Sequence, residues 1–433
     1  MTGPVAAISS TSILAAALIL IGWRPRGLNI AWPASVAASF VIMLRLVSAA
    51  DLKLILSRTW DAALTLIALM MISAALDGNG FFEWAARHLL RKARGSGVKA
   101  FLYVIALTVV VTALLANDGA VLILTPIFCR MLKSVGIPPR KMLPYLFAAG
   151  FLADAASTPL IASNLTNIII ADSFQIRAAS FAATMFAPTA TVIVAAGWIL
   201  YLQYRRDLPQ RYALERVPPP DQAVADRKAF AAGWIILAGM AIGYPVAGMF
   251  RLPVSLVAIV AALALLAYSG FRKVLSIKQA TVGAPWYILV YALGMFVIVL
   301  SCWNTGPIEA FGRLISGNSS GLTAGLSTGM ATGLLSAIAN NLPAALAGVL
   351  ALGRGSGHIV SMPPLPVYSL VLGVDVGGKL TPIGSLATLL WMDILGQYGI
   401  NIGWTEYIKR SLLITIVTLT AALGALTFEC VLR

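Results

Sequence analysis

Apolar runs near the length of a bilayer-crossing helix recur along the whole chain, at about residues 8–23, 29–48, 60–77, 180–202, 229–248, 253–269, 284–303 and 410–430. Each predicts an ordinary span. Four further apolar stretches carry polar or helix-breaking residues at their centres. Residues 98–133 and 320–352 read as pairs of apolar arms around Ala116-Asn117-Asp118-Gly119 and Ala339-Asn340-Asn341-Leu342-Pro343, which predicts two re-entrant hairpins. Residues 142–173 and 365–396 are interrupted between Asp154 and Pro159 and between Asp375 and Pro382, which predicts two helices unwound at mid-length.

The interruptions recur at one spacing. Asn117 and Asn340 lie 223 residues apart, and so do Thr158-Pro159 and Thr381-Pro382, with an acid upstream of each Thr-Pro. A shared offset for two independent breaks predicts duplicated halves. The fold expected is an all-α polytopic membrane transporter of two inverted repeats, residues 1–202 and 229–433, joined by a solvated cytoplasmic linker over 203–228. Each repeat has five spans, one of them discontinuous, and a hairpin. The total is ten spans plus two hairpins, with both termini outside. Residues 81–94 mix Phe81, Phe82 and Trp84 with Arg87, Arg91 and Lys92 and predict a helix lying on the membrane surface.

Composition agrees with this pattern: 59% of the 433 residues are hydrophobic and 11% charged, too few polar groups to cover a soluble surface of this size. The first apolar run has no basic residue before it and reads as a retained helix, not a signal peptide. A net charge of +15 raises the question of nucleic acid, but the basic residues sit in short loops. In the predicted topology 22 of the 31 Lys and Arg residues face the cytoplasm and 7 face outward, a threefold bias that orients a membrane protein. No nucleic-acid partner is expected. Cys129, Cys302 and Cys430 are far apart, and His88 and His358 fall in predicted loops, so neither a metal site nor a cofactor is expected.

Unwound backbone at membrane depth must line a protein-enclosed cavity, because its amides otherwise lose their hydrogen bonds. Thr158 and Thr381 are good N-caps before proline, and Asn117-Asp118 and Asn340-Asn341 can cap the returning hairpin arms. Four helix N-termini are then expected at the midplane, each worth roughly +0.5 charge. Facing them are Asp118, Asp154 and Asp375, with Lys379 as the basic partner, which pairs with Asp375 if the two share a helix face. Each such charge costs about 2.5 to 3.5 kcal/mol on insertion scales, which makes an idle role improbable. The candidate solute-binding set is Asn117, Asp118, Gly119, Ser157, Thr158, Asn164, Asn340, Asn341, Thr381 and Ser385. The candidate proton-coupling set is Asp118, Asp154, Asp375 and Lys379, with Asp118 and Asp154 placed first. Asn167 shares a helix face with Asn164 and serves equally for packing or solute contact. An Asp at a hairpin tip disfavours a permanent anion, so a neutral polyhydroxy species or a cation fits better.

At these residues the chain resembles the bacterial arsenite efflux permeases of the ArsB type, within an ion-transporter superfamily that includes dicarboxylate carriers. The resemblance runs through Ala116 to Ala120 with Leu124-Thr125-Pro126, Ala148 to Phe151 on to Asn164-Leu165, Asn340 to Pro343, and Asp375 through Lys379-Leu380-Thr381-Pro382-Ile383-Gly384-Ser385 to Thr388. It implies export of trivalent arsenic and antimony across the bacterial inner membrane, coupled to inward proton flow by alternating access, with membrane lipids as surroundings. In some bacteria such permeases also engage a soluble arsenite-stimulated ATPase. The superfamily's carboxylate carriers have Ser-Asn-Thr at the hairpin tips, where this chain has Ala-Asn-Asp and Ala-Asn-Asn. The departure argues against a dicarboxylate. Arsenite at neutral pH is mostly As(OH)3, whose hydroxyls can donate to Asp and accept from Asn and Thr. A cation/proton antiporter or an organic-anion carrier on the same scaffold is the alternative. An intramembrane aspartyl protease is the rival from the enzymes, and no catalytic residue is assigned. Oligomeric state, proton stoichiometry and the identity of the titrating carboxylate are not fixed by the sequence.

Overall fold

The computed structural model describes residues 3–250, 252–276, 278, 280, 286–316, 322–353 and 364–432. The expectations placed on Arg251, Arg354, His358, Arg433 and residues 284–285 and 320–321 lie outside the described residues. Among the described residues the chain is helical, and eight helices are long and apolar enough to cross a membrane. Seven coincide with expected spans: α1 (Pro4–Trp23), α3 (Ala49–Gly78), α9 (Ala178–Tyr204), α10 (Arg227–Met249), α11 (Val254–Phe271), α12 (Trp286–Asn304) and α18 (Trp404–Leu432). The eighth is α5 (Gly97–Leu115), the first arm of the first expected hairpin. The spanning window of α12 is 72% buried and that of α1 only 28%, so apolar helices surround an equally apolar centre and many large side chains face outward. That is the distribution a hydrocarbon solvent permits.

The span expected over 29–48 is shorter. α2 (Ala31–Met43) has 13 residues, about 20 Å of helix. It stops where Arg45 turns left-handed at φ 55°, and Ser48 starts α3. Ser48 Oγ accepts from Asp51 N (3.1 Å) while the Asp51 carboxylate accepts from Ser48 N (2.7 Å), a reciprocal cap that begins α3 well before residue 60. The surface helix is α4 (Phe81–Lys92), with Phe81, Phe82, Ala86 and Leu90 buried. His88 lies on it, stacked on Trp84, instead of in a loop.

The interrupted stretches give the elements that position the site. α5 is followed by α6 (Asn117–Ser134), and α14 (Leu322–Ala339) by α15 (Asn341–Gly353), each pair separated by one residue. α7 (Pro139–Ala155) is separated by extended chain and one 3-10 turn from α8 (Leu165–Ser173). α16 (Pro364–Leu372) runs into a π turn (Gly373–Gly377) and two 3-10 turns before α17 (Leu386–Gln397). The partners cross over: α6 packs on α17, and α15 packs on α8. α14 runs along the π turn, where a β-carbon on Gly377 would lie 2.3 Å from Gly333 Cα. Only glycine at 377 allows that close backbone approach.

An additional amphipathic helix, α13 (Pro307–Ser316), lies between α12 and α14, with Ile308 and Ile315 buried. The linker over 203–228 is a packed strap and not a solvated tether. Leu208, Tyr212 and Val217 are buried, Tyr212 N donates to Gly95 O (2.9 Å), and Arg87 Nη1 donates to Pro219 O (3.2 Å). Apolar residues spaced among its charges give it a face to bury, and its prolines hold the chain extended enough to lie flat.

Candidate functional site

The helix pairs turn at residues with positive φ. Ala116 has φ 67° and ψ 150°, a region nearly reserved for glycine, and Asn340 has φ 79°. The turn residue is Ala in the first pair and Asn in the second. Asn117 therefore opens α6 as Asn341 opens α15, one residue away from the pairing that the 223-residue offset implies. Asn340 stabilises its own turn, since its Oδ1 accepts from Leu342 N (3.4 Å) while its Nδ2 donates to Ile383 O (2.9 Å) on the second break.

Asp154, in the last turn of α7, is fully buried and lies at the centre of the polar network. Its Oδ1 accepts from Asn117 Nδ2 (2.6 Å), and its Oδ2 accepts from Lys379 Nζ (2.6 Å) and Ser385 Oγ (2.6 Å). Lys379, also fully buried, donates in addition to Gly150 O (3.0 Å) and Thr388 Oγ1 (2.6 Å). One carboxylate thus joins the first hairpin tip, α7 and the second break. The expected pair of Asp375 with Lys379 does not form. Four residues apart, they would share a face of an α-helix, but the wider π turn followed by a 3-10 turn rotates Lys379 away.

Asp375 is buried on the other side of the network. Its Oδ1 accepts from Thr166 Oγ1 (2.7 Å) and Asn164 Nδ2 (3.0 Å), while its Oδ2 is buried and accepts nothing. Asn164 Nδ2 also reaches Ser157 Oγ (3.0 Å), and Ser157 Oγ donates to Asp154 O (2.6 Å). Hydrogen bonds therefore link Asn117 to the Asp154 carboxylate and, from the Asp154 backbone carbonyl, run through Ser157 and Asn164 to Asp375. Asp154 and Asp375 have separate donors and are not bonded to each other, so they are not the proton-sharing pair of an aspartyl protease.

The Thr-Pro sites differ from expectation. Thr158 caps no helix: its hydroxyl pairs with Thr189 on α9 (2.8 Å), and Asn164 is the N-cap of α8, its Oδ1 accepting from Thr166 N (3.3 Å). Thr381 caps only a 3-10 turn through Gly384 N (3.2 Å), and α17 starts five residues later, after Ser385. Asn167 is a packing residue on its amide side, donating to Ser157 O (2.8 Å) and Leu160 O (3.2 Å), while its buried Oδ1 has no partner. Two polar residues of the network were not among the candidates. Thr388 stands one helical turn after Ser385, and Thr166 follows the Asn164 cap; that spacing is the signal each carries.

Asp118 and Gly119 occupy the first turn of α6, and Asn341 the start of α15, all buried. Among the described residues no side chain donates a hydrogen bond to Asp118. In the network, Lys379 is matched by Asp154, which leaves Asp118 and Asp375 without a cation. The first turns of α6 and α15 and the caps of α8 and α17 supply helix dipoles in their place.

The whole arrangement has relatives. A family profile described as arsenical pump membrane protein, ArsB, matches residues 10–428. The arsenical pump membrane protein of Yersinia enterocolitica is 38% identical over 420 residues, covering 96% of this chain and 98% of the relative. Two solved structures share the fold at 15% identity and TM-score 0.55. One is the YdaH transporter of Alcanivorax borkumensis, covering 95% of this chain and 98% of that one. The other is MtrF of Neisseria gonorrhoeae, described as illuminating a class of antimetabolite efflux pumps, covering 88% of this chain and 85% of that one. Broken apolar helices that meet around buried charge, with a family match over nearly the full length, leave one conclusion: the chain belongs to the arsenical pump membrane protein family, multi-pass membrane transporters and not enzymes.

Proposed function

We propose that the chain exports trivalent arsenic and antimony, as neutral hydroxides, across the bacterial cytoplasmic membrane in exchange for protons. The observation that carries the neutral-solute reading is the pairing of Lys379 with Asp154. With its cation already matched, the network has no side-chain charge left for an anion, and its free groups are hydroxyls, amides and two carboxylates. Those suit the donors and acceptors of As(OH)3. The same argument disfavours an organic-anion carrier. A cation/proton antiporter is the second reading, because Asp118 and Asp375 lack a cation.

The proton load falls on Asp118 and Asp375, while Asp154 holds the network together. The order of hairpin, broken helix and span in each half supports two inverted repeats, with the hairpins and broken helices moving past the remaining spans in an elevator-like step. The crossed packing of α6 on α17 and α15 on α8 makes such a unit cohesive. Proton coupling would let it work without the soluble ATPase that some relatives engage. The test is arsenite flux in proteoliposomes under an imposed pH gradient. Uphill arsenite movement is expected; no movement rejects export, and a sodium requirement favours the second reading.

A further inference from the structure

Ser73 and Tyr291 lie outside every interrupted element, on α3 and α12. Both are almost fully buried, Ser73 at 2% and Tyr291 at 1% exposure, and the hydroxyl of each has no hydrogen-bond partner. A buried hydroxyl without a partner costs free energy that folding normally avoids. The two converge on the first hairpin tip. A β-carbon added to Gly119 would lie 3.4 Å from Ser73 Oγ, the one atom from another element within 4 Å among the described residues, so Gly119 leaves room for a methyl that Ser73 lines. Tyr291 lies within electrostatic reach of Asp118, the neighbour of Gly119. α12 itself packs on both α3 and α15.

We infer that Ser73 and Tyr291 are solute-binding residues, and that with Asp118 they form a pocket whose wall comes from the spans outside the hairpins and broken helices. The inference rests on the export reading and adds to it the specific contacts. Each hydroxyl both donates and accepts, and with the Asp118 carboxylate they offer three polar groups to a neutral trihydroxide. Asp118 belongs to the unit proposed to move, and Ser73 and Tyr291 to the spans it moves past. The pocket is then complete in one position of the hairpin and taken apart in the other, which gives the solute a reason to leave.

The test is the KM for arsenite in everted vesicles, with wild type as the reference. Tyr291→Phe and Ser73→Ala are each expected to raise KM about 3- to 10-fold, the loss of one hydrogen bond to a neutral ligand. Gly119→Ala, which puts a methyl against Ser73, is expected to raise KM as well. Tyr244 is the control, because its buried hydroxyl also lacks a partner but lies on α10, and Tyr244→Phe should leave KM unchanged. Wild-type KM in both Tyr291→Phe and Ser73→Ala overturns the inference while leaving export standing. Absence of arsenite flux in wild type rejects export instead. A Ser73→Ala protein that fails to fold leaves Tyr291→Phe, which keeps the ring in place, to decide.

Discussion

The two broken helices place an acid at the same kind of site and treat it in opposite ways. Asp154 accepts from an ammonium, an amide and a hydroxyl, and no oxygen is left over. Asp375 accepts from an amide and a hydroxyl at one oxygen, and its other oxygen has no hydrogen-bond donor among the described residues. The difference traces to one residue. Lys379 sits in the second break, while Ala156 stands 223 residues earlier, and the one cation pairs with Asp154 alone. Both breaks interrupt the backbone beside an acid, but the cation matches Asp154 and leaves Asp375 with neutral donors alone.

The largest expected effect breaks the saturated side. Lys379→Met strands a buried carboxylate, at a cost of about 3 to 5 kcal/mol. It should appear as a large fall in the thermal midpoint of the purified protein and in folded yield. Adding Asp154→Asn should recover most of that loss, because both charges are then gone. If the double variant is no more stable than the single, the ion pair is not what holds the two breaks together. Asp375→Asn should change stability by only about 1 kcal/mol, since an amide oxygen still accepts from Thr166 and Asn164.

The free side is sharpened by coupling and not by stability. On the proposed coupling, Asp375→Asn removes a proton site while still leaving Thr166 and Asn164 an oxygen to donate to. Arsenite exchange down its own gradient should continue, while accumulation driven by a pH gradient falls to the passive level. Pyranine-loaded proteoliposomes would report the accompanying proton flux. Full coupling in this variant moves the proton to Asp118 and removes the functional half of the comparison.

The hairpin tips repeat the contrast on a smaller scale. Asn340 occupies a conformation that Asn tolerates and spends its side chain on two hydrogen bonds, so Asn340→Ala should cost about 2 kcal/mol. Ala116 occupies glycine-like backbone with no side-chain hydrogen bond to compensate. Ala116→Gly should therefore stabilise by about 1 kcal/mol, strain relief outweighing the added chain entropy. A rise in thermal midpoint for Ala116→Gly and a fall for Asn340→Ala would be read in one assay.

Much of this was legible because apolar length and helix-breaking residues act locally. The spans, the four interruptions and the polar residues within them follow from runs and breaks in the sequence. What was not legible depends on the angle at which elements meet. The Lys379–Asp154 pair joins residues 225 positions apart, and an α-helical reading of the second break directs Lys379 to Asp375 instead. The helix starts were displaced for a related reason. Thr-Pro predicts a cap, but after Thr158 the chain stays extended and passes through one 3-10 turn before Asn164 caps α8. Ser73 and Tyr291 carry no signal in the sequence, because a serine or tyrosine in an apolar span looks like packing until its neighbours are known.

A second ion pair supplies the reference that the comparison needs, because its side chains are partly exposed. Asp226 caps α10 through Ala229 N (2.7 Å) and pairs with Arg272 after α11, tying the strap to the second half. The Arg272 hydrogen bonds, and then the Ala229 amide, hold the Asp226 carboxyl down to about 2. Its unfolded value is about 3.9, so its contribution is complete above that pH and is lost as pH falls through about 2. The thermal midpoint of Asp226→Asn should lie slightly and constantly below wild type from pH 7 to about pH 4, and the two curves should merge near pH 2. The gap should shrink in high salt, as solvent-exposed pairs do. The gap opened by Lys379→Met should survive the same salt, because a buried pair is screened much less. A salt-sensitive Lys379→Met gap would place that pair in contact with water and remove the distinction between the saturated and the free acid.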